Sequence, residues 1–514
     1  MSRLSRNVAY NVLGQGIVLA LGFVGVKFIY GRLGADAFGI IYFNLVLTGV
    51  LTTALELGVL STTVREVSGH FANERDYVVR LIRTASLFYW GVGLVLMVAV
   101  FIAAPVLVDR WINLKTINPD TATTMLRFLS VTTLIMLPRA LYSSLFQGRQ
   151  RMELNNSIDV GSSAVQQLGI IAILARGGDA FAVVQWIAAA AILSTLTYMV
   201  IAARMFGWRA LVPAYFPDVA KRNVRFTAHM GALSVLNMVL IQFDKVVVSK
   251  LLPIASVGYY SFASTVVVRI SFAASAIAQA ALPSFSSLHQ LGDWKALMNQ
   301  YRKLQDLICF GMVPLFAAAV YAALPIYTYL FNRPTAWLLL LPTALLCLGF
   351  YMSATVNIPY TFSVALGRPD IASRSNALAL FVVIPVTTTL IFLFGLTGAA
   401  SSWVVYHLFL YAYMIPRICR QALRIDPLSW YAHVARVVVL AGATYGLSWV
   451  VVVVPFSYST GALAVAYIGA SVVFLAGALF LIGPDLRTTI LQVPARAGLL
   501  GTPGRPGSRS RSGG

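Results

Sequence analysis

A chain of 514 residues with 59% hydrophobic and only 11% charged side chains departs far from a soluble domain, which carries roughly 45–50% apolar and about 25% charged residues. Water is thereby excluded as the solvent of this fold. The formal net charge of +21 invites a nucleic-acid reading, but with a cytoplasmic N-terminus about 27 of the Lys and Arg residues fall in cytoplasmic segments and about 6 elsewhere, which is the positive-inside bias of a membrane protein.

A helix needs roughly 20 consecutive apolar residues to cross a hydrocarbon core about 30 Å thick. The chain supplies such runs at 8–30, 38–61, 84–108, 123–146, 155–176, 180–203, 225–249, 257–282, 304–330, 335–360, 371–394, 397–419, 433–454 and 460–483. Barrel strands would be short and would alternate with period two. These runs are long and do not alternate, so the expected fold class is an all-α polytopic membrane protein of about 14 transmembrane helices. Arg3 and Arg6 before an apolar run, with Ala35-Asp36-Ala37 downstream, imitate a signal peptide. The run is too long for a signal h-region and reads as an integral helix.

Basic clusters follow the second run (Arg65, Arg75, Arg80, Arg83), the sixth (Arg204, Arg209, Lys221, Arg222, Arg225) and the twelfth (Arg417, Arg420, Arg424, Arg436). Anionic inner-leaflet lipids would attract all three. Both termini are therefore expected on the cytoplasmic face of a bacterial-type inner membrane.

A shift of about 219 residues superposes several landmarks, and such repeats organise a fold. Leu33 falls on Leu252, Gly39 on Gly258, and Gly148-Arg149 on Gly367-Arg368. Six helices per repeat is an even number, so the two halves would enter the membrane in the same sense, with substrate sites near the midplane at the repeat interface. The expected organisation is an N-lobe at 1–204, a cytoplasmic linker at 205–224, a C-lobe at 225–424, two added helices at 425–484 and a basic, disordered cytoplasmic tail at 485–514. The stretches Arg65 to Arg83 and Ser284 to Gln305 read as interfacial amphipathic helices.

Ionisable groups inside a span cost roughly 2.5–3.5 kcal/mol at the bilayer centre on insertion scales, which makes each a functional candidate. Arg269 lies about midway along the eighth run and Arg139 lies inside the fourth beside Pro138. Lys27 and Lys245 lie near the outer ends of the first helices of their lobes, where snorkelling is the competing reading. These four are the candidate substrate-binding residues. Asp244 adjoins Lys245, but helix neighbours point about 100° apart and need not pair.

Glu56, Asp244 and Asp159 are the candidates for coupling to H⁺ or Na⁺; neutralising the basic residues is their alternative role. Ser234, Asn237, Gln242, Asp244, Lys245 and Ser249 share a wide polar face of the seventh helix. Asn44, Thr48, Thr52 and Glu56 form a stripe on the second. Such stripes serve equally as interhelical hydrogen-bond seams. On the first helix, Asn7, Asn11 and Gln15 share a face nearly opposite Lys27.

Cys309, Cys347 and Cys419 lie within spans and read as packing residues, with no disulfide or metal-ligand spacing. The five histidines are scattered, no paired carboxylates stand beside a nucleophile, and no P-loop pattern is present. Neither an enzyme nor an ATP-coupled pump is expected, and no cofactor is implied beyond a coupling ion.

Four segments resemble a known family: Leu33-Gly34-Ala35-Asp36-Ala37-Phe38-Gly39, Leu57-Gly58 to Arg65-Glu66, Phe146-Gln147-Gly148-Arg149, and Phe243-Asp244-Lys245 through Val257-Gly258-Tyr259-Tyr260. They are similar to the polysaccharide transporter family, which includes the Wzx-type flippases of the multidrug/oligosaccharidyl-lipid/polysaccharide exporter superfamily. The resemblance reaches to about residue 483 and implies fourteen helices, two six-helix lobes, and flipping of polyprenyl-pyrophosphate-linked oligosaccharide from the cytoplasmic to the outer leaflet. The partners it implies are that lipid-linked glycan, membrane lipids and other polysaccharide-assembly proteins, not nucleic acid.

Lipid II flippases share the layout but gather arginines on their first two helices, where this chain has Lys27 and Glu56. The alternatives are that branch, a multidrug exporter with acidic cavities for cationic drugs, and a membrane glycosyltransferase or polymerase. The last would need acidic residues or a sizeable loop at the membrane surface, and the loops here are short.

Overall fold

The computed structural model describes residues 3–55, 58–71, 73–483 and 487, with side chains described from residue 20 except at 54, 55, 229, 232, 233 and 237. Among these the chain is helical and forms no named strand. The helices are α1 (Arg3–Leu55), α2 (Val59–His70), α3 (Arg75–Arg110), α4 (Pro119–Gly148), α5 (Met152–Ala175), α6 (Ala180–Phe206), α7 (Trp208–Leu211), α8 (Pro217–Leu251), α9 (Ile254–Gln290), α10 (Trp294–Leu330), α11 (Arg333–Ala365), α12 (Asp370–Ile418), α13 (Pro427–Ala441) and α14 (Thr460–Leu481). Two π-turns carry α13 on to Val453.

Eleven helical stretches among the described residues are long and apolar enough to cross a bilayer. Two of them hold two crossings each. At 1.5 Å per residue, α1 would be about 80 Å and α12 about 74 Å long if straight, more than twice a hydrocarbon core of about 30 Å. Each breaks at a glycine with positive φ, Gly34 (φ 82°) and Gly395 (φ 57°), a backbone region that side-chain-bearing residues rarely enter. The fourteenth crossing is α8, 35 residues long and more polar. The outer surfaces of the spans are apolar: Phe381, Phe392 and Phe480 are each more than three-quarters exposed, as suits helices whose solvent is lipid.

The stretches expected as amphipathic surface helices are instead helix ends on either side of a turn. His70 ends α2 and Arg75 starts α3. Gln290 ends α9, Gly292 takes φ +72°, and Trp294 starts α10.

The chain forms two compact units. The first comprises Met1–Arg269, Ala322–Phe350 and Arg374–Leu410; the second comprises Ile270–Tyr321, Tyr351–Ser373 and Tyr411–Gly514. In the first, α3 packs on α4, α4 on α6, and α1 on α5. Its core at one end gathers Tyr77, Leu81, Tyr89, Leu141, Tyr142, Phe146 and Tyr198. Near the Gly34 bend, Phe38 and Tyr30 meet Phe331 with ring centroids 5.5 and 4.9 Å apart. In the second unit, Phe362 packs against Phe285, Trp294 and Tyr301. There Tyr321 donates from Oη to the carbonyl of Tyr445 at 2.6 Å.

The family-like glycines are places of backbone contact in the first unit. A Cβ on Gly39 would stand 2.3 Å from the carbonyl oxygen of Ile254, and one on Gly258 would stand 2.5 Å from Cδ1 of Phe38. The two residues related by the 219-residue shift thus pack against each other. Asp36 accepts hydrogen bonds from the amides of Lys115 (2.8 Å) and Thr116 (2.6 Å) and so anchors the loop between α3 and α4 to the bend. Arg149 stacks its guanidinium 3.8 Å from the ring centroid of Phe71.

Candidate functional site

Asp244 lies in the last third of α8, within an apolar stretch, and its side chain is only 4% exposed. A buried carboxylate must find donors, because an unpaired charge away from water is costly. Asp244 finds four. Oδ2 lies 2.6 Å from the Tyr260 hydroxyl and accepts from Nε1 of Trp403 at 3.0 Å. Oδ1 accepts from the Lys245 amide at 2.8 Å and from Lys245 Nζ at 3.3 Å.

The Tyr260 hydroxyl also lies 3.1 Å from the carbonyl of Ala399. Trp403 stacks on Phe350 with centroids 4.5 Å apart and on the buried His407 at 5.8 Å, whose Nδ1 lies 2.8 Å from the Trp403 carbonyl. A small cavity of about 10 Å³ adjoins the carboxylate, lined by Thr387, Ser402, Trp403 and Tyr406 among others. That is space on the scale of a single water.

The expectation that Asp244 and Lys245 need not pair is therefore corrected. Their Cα–Cβ bonds diverge, but the four-carbon lysine stem bends back to its neighbour and also reaches the Ile241 carbonyl at 3.0 Å. Arg139 is engaged likewise: Nη2 donates to Asp159 Oδ1 at 2.5 Å, and the guanidinium lies 5.5 Å from the ring centroid of Tyr198. The Tyr198 hydroxyl donates to the same Asp159 oxygen at 2.9 Å. Cations at membrane depth without carboxylates beside them were expected, and at these two positions a carboxylate is present, buried in the case of Asp244 and half-exposed in that of Asp159.

Lys27 points its Nζ at the carbonyl of Tyr329 and lies 4.6 Å from the centroid of that ring. It thus caps the C-terminal turn of α10, where the helix dipole favours a cation. Arg269 is half-buried on α9, fifteen residues into a helix of 37, and interacts electrostatically with Tyr42 of α1. Glu56 and the side chains of Asn7, Asn11, Gln15 and Asn237 lie outside the described residues.

The polar stripe of the second crossing is a seam: Asn44 Nδ2 donates to Thr132 Oγ1 at 3.1 Å, and the Thr48 and Thr133 hydroxyls meet at 3.2 Å. Interhelical bonds of this kind hold α1 to α4. Trp403 and Tyr260 were not among the expected site residues.

Where α2 turns into α3 in the same unit, Glu66 on the short α2 is buried and accepts from Arg65 Nε at 2.8 Å and from the Tyr77 hydroxyl at 2.9 Å. Asn223 Nδ2 donates to Tyr77 Oη at 2.8 Å and closes the network onto α8. Burial pushes the Glu66 carboxyl up, but the bonds from Tyr77 and Arg65 and the nearby cations outweigh it and hold it below the usual glutamate value.

The profile of the family described as polysaccharide biosynthesis protein matches residues 4–289, more than half of the chain. The chain belongs to this family. A Shigella flexneri protein named as an O-antigen transporter is 22% identical over 436 residues, covering 80% of this chain and 98% of its own. Among solved structures, the lipid II flippase MurJ in an inward closed conformation superposes with a TM-score of 0.70 at 10% identity, covering 95% of this chain and 99% of its own. An inward-facing multidrug resistance MATE transporter superposes with a TM-score of 0.64 at 13% identity, covering 80% of this chain and 98% of its own. The chain is thus a multi-pass membrane protein of this family with the fold of these two proteins.

Proposed function

We propose that the protein moves polyprenyl-pyrophosphate-linked oligosaccharide from the cytoplasmic to the outer leaflet of a bacterial-type inner membrane, with both termini cytoplasmic. A sugar-pyrophosphate cannot cross hydrocarbon unaided, because each unsatisfied polar group there costs several kcal/mol and charge costs more. The observation that carries the reading is Arg269: in a family named for polysaccharide biosynthesis, a permanently charged guanidinium stands half-buried about 22 Å along an apolar helix. It attracts the pyrophosphate while the polyprenyl tail stays in lipid, and the six-helix lobes rock to open the path alternately to each side.

Arg139, Lys245 and Lys27 take part by exchanging their present acceptors for substrate oxygens. Lys245 has a ready means: protonation of Asp244, or a cation bound there, removes its counter-charge and frees the ammonium. Asp244 is in this way the preferred coupling residue over Asp159. Replacing Arg269 by Ala and measuring glycan export at matched protein levels tests the reading. Export falls sharply if Arg269 binds substrate, and unimpaired export removes it. Transport into proteoliposomes that ignores imposed H⁺ and Na⁺ gradients defeats the coupling role of Asp244.

A further inference from the structure

In the second unit, α9 and α11 line an open pocket of about 260 Å³ formed by Ser275, Gln279, Asn357, Tyr360 and Thr361 together with small and aliphatic side chains. Both helices are long and apolar enough to cross the bilayer. Two carboxamides and three hydroxyls on such helices call for an explanation, since an uncharged polar group in hydrocarbon costs roughly 2–7 kcal/mol without a partner. An interhelical seam would be the ordinary explanation. Yet among the described residues neither the Gln279 nor the Asn357 carboxamide has a hydrogen-bond partner. The seams of this unit run elsewhere, as from Gln305 to the Thr355 carbonyl at 3.0 Å and between the Thr355 and Tyr411 hydroxyls at 2.6 Å.

The cavity's chemistry is selective in what it lacks. None of its lining residues is charged, so it offers nothing to a pyrophosphate. What it offers is paired donors and acceptors: each carboxamide presents two N–H groups and a carbonyl oxygen, and each hydroxyl both gives and takes a proton. Adjacent hydroxyls of a pyranose have the same dual character. Tyr360 is 43% exposed and adds a phenol ring, an amphipathic surface of the kind that packs against the C–H face of a sugar. Ligand pockets run from roughly 300 Å³ upward, so this one holds a single sugar ring and not an oligosaccharide.

We infer that this cavity is a neutral-sugar subsite, which grips one monosaccharide of the lipid-linked glycan while charge recognition occurs elsewhere. The inference rests on the flippase reading and adds a prediction that the reading alone does not make: affinity for the lipid depends on its sugar through Gln279 and Asn357.

The test uses full-length protein in nanodiscs and two probes, undecaprenyl pyrophosphate and the same lipid bearing one N-acetylhexosamine. Wild-type protein binds the glycosylated lipid more tightly. The Gln279→Leu, Asn357→Leu double variant loses about tenfold or more of that affinity, the equivalent of two neutral hydrogen bonds, and binds the bare lipid as before. Gln279 is exposed, so the single Gln279→Met variant reports the same direction should the double variant fail to fold.

Equal loss for both probes, or a lowered thermal midpoint with the sugar preference intact, shows a structural seam and overturns the subsite. Wild-type binding of the bare lipid with no preference for the sugar also overturns it and leaves the flippase reading standing. Wild-type binding of neither probe overturns both.

Discussion

Asp244→Asn is the most informative single change in the first unit, because the two carboxylate oxygens serve different donors. Oδ2 faces Trp403 Nε1 and the Tyr260 hydroxyl, whereas Oδ1 faces the Lys245 amide and ammonium. An asparagine has one acceptor oxygen to place. Turned toward Trp403, it sets its NH₂ against the Lys245 ammonium; turned toward Lys245, it sets its NH₂ against the indole N–H. Tyr260 adapts in either case, since the Ala399 carbonyl can take its proton.

Losing one hydrogen bond to a charged group costs about 1.5–3 kcal/mol, and leaving Lys245, whose side chain is 12% exposed, without its counter-charge raises the cost toward the roughly 3–5 kcal/mol seen when buried pairs are broken. The expected penalty for Asp244→Asn is therefore about 2–4 kcal/mol. Adding Lys245→Met removes the stranded cation and restores part of the loss, a coupling of the kind a double-mutant cycle isolates.

Thermal unfolding of the purified full-length protein in one detergent, compared as midpoints at one scan rate, gives the ranking: wild type highest, Asp244→Asn lowest, the double variant between. A double variant less stable than Asp244→Asn, or an Asp244→Asn protein as stable as wild type, refutes the claim that this carboxylate holds Lys245. In transport, the proposed coupling through Asp244 predicts that Asp244→Asn, which has no carboxylate charge to neutralise, abolishes dependence on the imposed ion gradient. Retained dependence places coupling elsewhere.

Three further changes probe the rest of the first unit. Gly39→Ala forces a methyl to 2.3 Å from the Ile254 carbonyl oxygen, whereas Gly31→Ala meets nothing within 4 Å; overpacking costs about 1–3 kcal/mol or more, so the monodisperse fraction in size-exclusion chromatography falls for Gly39→Ala alone. Glu66 has its carboxyl held below the ordinary value, so its stabilisation is complete above the unfolded-state pKa of roughly 4.3 and is lost as pH falls through the lower folded value. The thermal midpoint of wild type therefore declines below about pH 4.3, and Glu66→Gln flattens that decline while lowering the midpoint at neutral pH. Arg139→Ala lowers export if the guanidinium passes from Asp159 to substrate, whereas Asp159→Asn, which frees the guanidinium, preserves it; equal loss in the two variants marks the pair as structural.

The fold was legible because length and apolar continuity are local properties and the bilayer thickness converts them directly into crossings. The bend at Gly34 is announced by the flanking Arg32 and Asp36, whereas that at Gly395 has no proline or charged residue beside it, yet the run lengths divided at both. The candidate site was only half legible. An ionisable residue in an apolar run stands out by type alone, as Asp244, Lys245, Arg139, Asp159 and Arg269 do.

Their partners could not be found that way. Trp403 stands 159 residues from Asp244, the acceptor for Lys27 is a main-chain carbonyl 302 residues away, and neither leaves a periodic trace. The rule that helix neighbours diverge by about 100° describes Cα–Cβ directions, and it misled at Lys245 because a long side chain reaches back across that angle.

The family-like motifs turn out to divide into two kinds of physical constraint. Gly39, Gly258, Gly58 and Gly148 are positions where a Cβ would strike another helix, the carbonyl of Thr227 at 2.4 Å in the case of Gly58 and Cβ of Val67 at 2.8 Å in that of Gly148. Asp36, Glu66 and Asp244 are carboxylates that each gather several donors from other segments. Close-approach glycines let helices touch without locking, since dispersion between smooth surfaces has no direction, whereas a buried carboxylate with a full set of donors holds its elements until its charge is removed. Of these three carboxylates only Asp244 is paired with a lysine, near the end of a long helix. That pairing is the reason the proposed ion coupling is assigned to Asp244 ahead of Asp36 and Glu66.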